Sequence, residues 1–202
     1  MGLVFSLPAV AESQGVRSCD TYLAHVEDAA LVDQAMRRNW SPGDGNRPLT
    51  VRRSLYSDDA IYRIDFDHNE LIVLLVQECR SQLLARESPI TSDQANAIWL
   101  LMQHHQSAQW QYDNIPVVRG IFQSGSIAAR HYALFVDRAW WRTRQMQYFG
   151  TQGRCSSAGF EPFPINGVDE IDSRRSQIGL PPLADEIDRM SRETCGVSPN
   201  ED

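Results

Sequence analysis

Lysine is absent from the 202 residues, and all 19 basic side chains are arginine. A Schiff-base amine and the phosphate-binding lysine of a P-loop are therefore excluded, and any basic anion clamp must be a guanidinium. No apolar run exceeds six residues, as in Leu71 to Val76, well short of the roughly 18 that a membrane-spanning helix needs. Positive charge is scarce: the net charge is −7. Nucleic acid and anionic membranes favour clustered basic surface, so neither is an expected partner. The sequence also lacks H-E-x-x-H, G-x-S-x-G, G-x-G-x-x-G and C-x-x-C. The common zincin, serine-hydrolase, dinucleotide and zinc-knuckle readings fall with them. Neither a metal site nor a cofactor is implied.

What is present fits a globular chain, with 42% hydrophobic and 22% charged residues. The opening MGLVFSLPAVA ends in a small-x-small step before Glu12. Residues 1–11 therefore read as a remnant of a signal peptide, with a single helical domain over 12–202. On that reading the protein is periplasmic or secreted, and the alternative is cytoplasmic. The four cysteines, Cys19, Cys79, Cys155 and Cys195, fit two disulfides in an oxidising compartment. A Cys19–Cys195 tie between the chain ends, leaving Cys79 with Cys155, is the favoured of three pairings.

Hydrophobic spacing predicts a mainly α bundle of about six helices, with a small β-hairpin-like or irregular segment near 147–165. Residues 19–39 place Tyr22, Leu23, Val26, Ala29 and Ala30 on one face, and Asp33 and Arg37 continue that face. Charges on an apolar face form either a structural ion pair or part of a site. A second helix is expected to start at Asp67, with Glu70 completing a cap, and to end near Glu87. A third opens at Thr91 with Gln94 and runs through AIWLLMQHHQSAQWQY. Further helices are expected after Asn114-Ile-Pro116 and over about 127–146. Two short ones follow, stopped by Gly179 and ending near Thr194.

Five motifs in order then carry a resemblance. They are Asp33-Gln34 with Arg37, Trp99-Leu-Leu-Met-Gln103-His104, Asp137-Arg138, Gln147-Tyr148-Phe149-Gly150-Thr151-Gln152, and Arg174-Arg175 through Gly179-Leu180 to Leu183. Together they resemble an uncharacterised bacterial family, a domain of unknown function, over roughly residues 25–187. The family pattern carries an acid where this chain has Gln106, and its Y-G-T-Q block is altered here at Phe149. The resemblance implies no reaction.

Those segments supply an imidazole, carboxylates, amides and guanidiniums. One reading is a polar pocket around Gln103 and His104 that binds a small molecule or is structural. The alternative is a hydrolase-type enzyme with His104 as general base and Asp137 orienting it. Asp33, Gln34, Arg37, Gln103, Arg138, Thr151 and Gln152 are the binding candidates, with the arginines suited to an anionic group.

Overall fold

The structure, a computed structural model, describes residues 18–39, 58–87 and 89–197, with side chains for 18–35, 67–87 and 89–197. The expected signal remnant, the turn at 41–48 and the side chain of Arg37 lie outside the described residues. The described chain is mainly helical, with one small hairpin. Its helices are α1 (Cys19–Asn39), α2 (Asp58–Glu78), α3 (Arg80–Leu83), α4 (Ser92–His104), α5 (Ala108–Asp113), α6 (Ile115–Gln123), α7 (Ala129–Arg144), α8 (Ile171–Gln177) and α9 (Leu183–Glu193). Between α7 and α8 come β1 (Gly153–Ser156), β2 (Gly159–Pro162) and a 3₁₀ turn at Val168–Glu170.

The helix boundaries follow local chemistry. Thr91 caps α4: Gln94 N–H donates to Thr91 Oγ1 and Thr91 N–H to Gln94 Oε1, both at 3.1 Å, closing a capping box. Pro116 sits in the first turn of α6, where its missing N–H costs nothing. Gln145 ends α7 in the left-handed conformation, at φ 56°.

Three boundaries differ from expectation; one is the end of α2, which falls at Glu78 and not near Glu87. α2 begins at Asp58, so Asp67 is an exposed mid-helix residue and not a cap. The long third helix breaks after His104: His105 turns extended, at ψ 134°, and Ser107 re-caps α5 by accepting the N–H of Trp110. These breaks and the separate α3 raise the helix count to nine among the described residues.

The core is built where α1 packs on α2 and α4, and where α7 packs on α4, α5 and α6. Val26, Ile72, Leu75, Ile98, Met102, Val117, Ile121 and Phe135 are all buried within it. The hairpin pairs Gly153 with Pro162 and Ser156 with Gly159, antiparallel, and lies on α9.

The cysteines pair as Cys19–Cys79 and Cys155–Cys195, with Cα separations of 5.0 and 5.4 Å. This corrects the expected Cys19–Cys195 and Cys79–Cys155 pairing. Each bridge joins neighbours in the packing. The start of α1 meets the residue after α2, and β1 meets the end of α9. A tie between chain ends would need those two distinct neighbourhoods to coincide, within about 7 Å at Cα. No helix among the described residues is long and apolar enough to cross a membrane.

Candidate functional site

Val26, Ala30 and Asp33 follow one another along α1 at helical spacing, and all three are buried. Asp33 is 1% exposed, so its carboxylate needs partners to stay ionised. One is His104, the last residue of α4. Its Nδ1 lies 2.7 Å from Asp33 Oδ2. An ionised carboxylate can only accept, so the hydrogen sits on Nδ1. Gln34 Nε2 donates to the same oxygen at 3.3 Å, and His68 Nδ1 of α2 lies 4.0 Å from Oδ1. The His104 side chain remains 17% exposed. Its Nε2 makes no hydrogen bond among the described residues. The contact fixes the orientation of the ring and leaves Nε2 as the nitrogen that does not face Asp33.

The chain around His104 is held by groups from α5 and α7. Gln111, fully buried, donates from Nε2 to Met102 O at 3.0 Å and Gln103 O at 2.8 Å. Its Oε1 accepts from Arg142 at 2.6 Å. The same guanidinium donates to His105 O at 3.0 Å and to Gln106 O. Arg138 reaches Gln103 O at 3.4 Å. Two arginines thus face the carbonyl-rich C-terminus of α4, where positive charge is favoured.

His105 stacks on Trp110 with centroids 4.1 Å apart, and burial, then Arg142, push its imidazole below the ordinary range. The N–H of Ser107 occupies its Nδ1, an arrangement that needs the neutral ring. Gln103 is 5% exposed, and its Oε1 has no hydrogen bond among the described residues.

Asp137 belongs to a different neighbourhood, which corrects the expected pairing with His104. It sits on α7 next to Arg138, but about 100° round the helix. Arg138 faces α4 while Asp137 faces the segment after α7. Asp137 Oδ1 accepts the N–H of Tyr148 and of Phe149, and Oδ2 accepts both the N–H and the hydroxyl of Thr151, at 2.7–2.8 Å. Burial pushes this carboxyl up, and the four donors oppose that push. Since every donor aims a hydrogen at it, the ionised form fits the geometry.

Thr151 and Gln152 are likewise tied into this turn. Gln147, buried, donates from Nε2 to Gln152 O at 2.8 Å and Phe163 O at 2.7 Å, and accepts the N–H of Gln152. Gly150 has φ 78°, and a Cβ there would lie 2.6 Å from Leu183, so a side chain would be both strained and crowded. Arg175 is 1% exposed and donates to Phe149 O and Pro181 O. Arg174 bonds Tyr148 O, Asn166 O and Gly167 O. Glu186 of α9 joins Arg130 at 2.7 Å and Arg189 at 2.9 Å.

The structure therefore divides the sequence candidates. Asp33, Gln34 and His104 converge, with Gln103 and Arg138 along the neighbouring backbone. Asp137, Thr151 and Gln152 converge elsewhere, on one another. His68, Gln111 and Arg142 were not singled out in the sequence. The misplaced start of α2 hid the relation of His68 to α1. Gln111 and Arg142 matter only because α4 stops at His104. A surface cleft of about 460 Å³ lies apart from both clusters, lined by Leu84, Arg86, Gly120 and Ser124. No group of three metal-ligating side chains with suitable geometry occurs among the described residues.

A family model, described as a family of unknown function (DUF6624), matches residues 76–198, more than half of the chain. The chain belongs to DUF6624. The DUF6624 match includes α4, α7, the 147–152 turn and the Arg174-Arg175 segment. Asp33 and His68, on α1 and α2, lie before it. No curated protein and no solved structure matches the chain.

Proposed function

We propose that this chain is an acid–base enzyme of the hydrolase type, with His104 as general base and Asp33, in place of Asp137, as its orienting carboxylate. The observation that carries the reading is the 2.7 Å contact between His104 Nδ1 and a carboxylate that is 1% exposed. In this arrangement Nε2 takes a proton from an attacking water as the oxygen lone pair forms the new bond. The imidazolium that results is stabilised by Asp33 and returns the proton to the leaving group. Gln34 steadies the carboxylate, and Arg138 and Gln103 supply the polar wall beside α4. Export to an oxidising compartment accompanies this reading, supported by the two disulfides.

The test is hydrolysis of a panel of ester, amide and phosphoester substrates by the purified protein, beside His104→Ala and Asp33→Asn. The expected result is at least one activity that falls about 10²- to 10⁴-fold in His104→Ala. A panel on which the wild type and His104→Ala are indistinguishable overturns the reading.

A second reading, ligand binding without turnover, is favoured by Gln103. Its buried Oε1 has no donor among the described residues, a cost that a ligand N–H or O–H would relieve. Saturable binding weakened by Gln103→Leu, with no turnover, would select it.

A further inference from the structure

His104 is the last residue of α4, and the final carbonyls of a helix lack intrahelical partners. A histidine at such an end would ordinarily share in fraying, and a displacement of about 1 Å at a catalytic group can cost about 10²-fold in rate. Here the carbonyls on both sides of His104 are taken up from outside the helix. Gln111 holds those of Met102 and Gln103, and Arg142 holds those of His105 and Gln106. The two holders are themselves joined, Arg142 to Gln111 Oε1 at 2.6 Å.

Gln111 is fully buried with both ends of its carboxamide engaged, so it has one rotameric arrangement to offer. The planar guanidinium serves three acceptors, which a lysine ammonium on a flexible stem does not reproduce. We propose that Arg142 and Gln111 are positioning residues for His104, fixing the 102–106 turn so that the imidazole meets Asp33. The proposal rests on the reading of His104 as the base. It assigns that site a support that neither residue type nor spacing reveals.

The test follows the His104 Nδ1–H proton by NMR in wild type, Arg142→Lys and Gln111→Met, with thermal unfolding alongside. His131 is the internal control. It stacks on Trp99 at 4.0 Å and pairs with Asn96 at 3.2 Å, away from this turn. In Arg142→Lys, the His104 Nδ1–H should exchange at least tenfold faster with His131 unchanged. Any hydrolytic activity should fall in kcat with KM retained. Gln111→Met should reproduce the His104 change, and Arg142→Lys provides the readout if Gln111→Met does not fold.

An unaltered His104 proton in Arg142→Lys overturns the proposal, as does loosening of His104 and His131 to the same extent. The NMR readout needs no substrate. A loosened His104 in a protein with no His104-dependent activity would therefore defeat the enzyme reading and leave the positioning role standing.

Discussion

Oδ2 of Asp33 and Nδ1 of His104 meet at 2.7 Å across 71 residues of sequence. The contact joins α1 to the end of α4 and places a carboxylate behind an imidazole whose second nitrogen makes no hydrogen bond among the described residues. Because the carboxylate is buried, its removal is felt both in stability and in the state of the ring.

Asp33→Ala should destabilise the protein by roughly 1–3 kcal/mol, the cost of leaving a buried polar partner unsatisfied. Asp33→Asn should cost less, yet release the Nδ1–H tautomer, because a carboxamide can present an N–H to Nδ1. Chemical denaturation gives the first quantity and the His104 ring nitrogen shifts give the second. Equal stability of wild type and Asp33→Ala would remove Asp33 from any buried role.

Asp137→Ala should be the more damaging substitution, by roughly 3–5 kcal/mol. It strands three backbone N–H groups and a threonine hydroxyl that now converge on one carboxylate. His104 should keep its Nδ1–H signal in any folded fraction, since its carboxylate is on α1. Loss of that signal in folded Asp137→Ala, at unchanged stability, would restore Asp137 as the partner of His104.

The contrast between these two acids shows what the sequence could and could not convey. Placing Asp33 on the apolar face of α1 required only helical spacing, and the structure buries it there. The extent of α1, the start of α6, the end of α9 and the change of character near 147–165 were readable for the same reason: each is marked by local periodicity, proline or glycine. Pairing His104 with Asp33 instead of Asp137 is a matter of which helices pack, and 71 residues of separation leave no local trace of it. The helix break at His105 was also hidden. The run from Ala97 to Tyr112 has no proline or glycine, and the tertiary clamp from Gln111 and Arg142 holds the turn. The cysteine pairing failed by the same rule, since composition counts thiols and packing chooses partners.

Digestion without reduction should recover one peptide pair carrying Cys19 with Cys79 and another carrying Cys155 with Cys195. A Cys19–Cys195 species as the main product would contradict the fold at both ends. The double variant Cys19→Ser with Cys79→Ser should lose about 2–4 kcal/mol. Since Asp33 rides on the helix that this bridge anchors, the His104 Nδ1–H proton should exchange faster as well. The corresponding Cys155 and Cys195 variant should leave that proton unchanged, because its bridge holds β1 to α9.

Acid sensitivity should trace to Glu186. Burial alone would raise its carboxyl, but hydrogen bonds and charge from Arg189 and Arg130 outweigh it and hold the group below its ordinary value of 4.5. The folded state therefore binds a proton at Glu186 less readily than the unfolded chain does. Its contribution to stability is fully present above about 4.5 and is lost as the pH falls through the lowered folded value. Glu186→Gln should be clearly less stable than wild type at pH 7, with three arginines, Arg130, Arg175 and Arg189, left around a neutral amide. Below pH 4 the gap between the two should narrow, because the wild-type carboxyl is itself becoming neutral. Denaturation midpoints measured from pH 7 down to pH 2.5 decide the matter. A gap that stays constant over that range would mean that Glu186 stabilises α9 through packing and not through its charge.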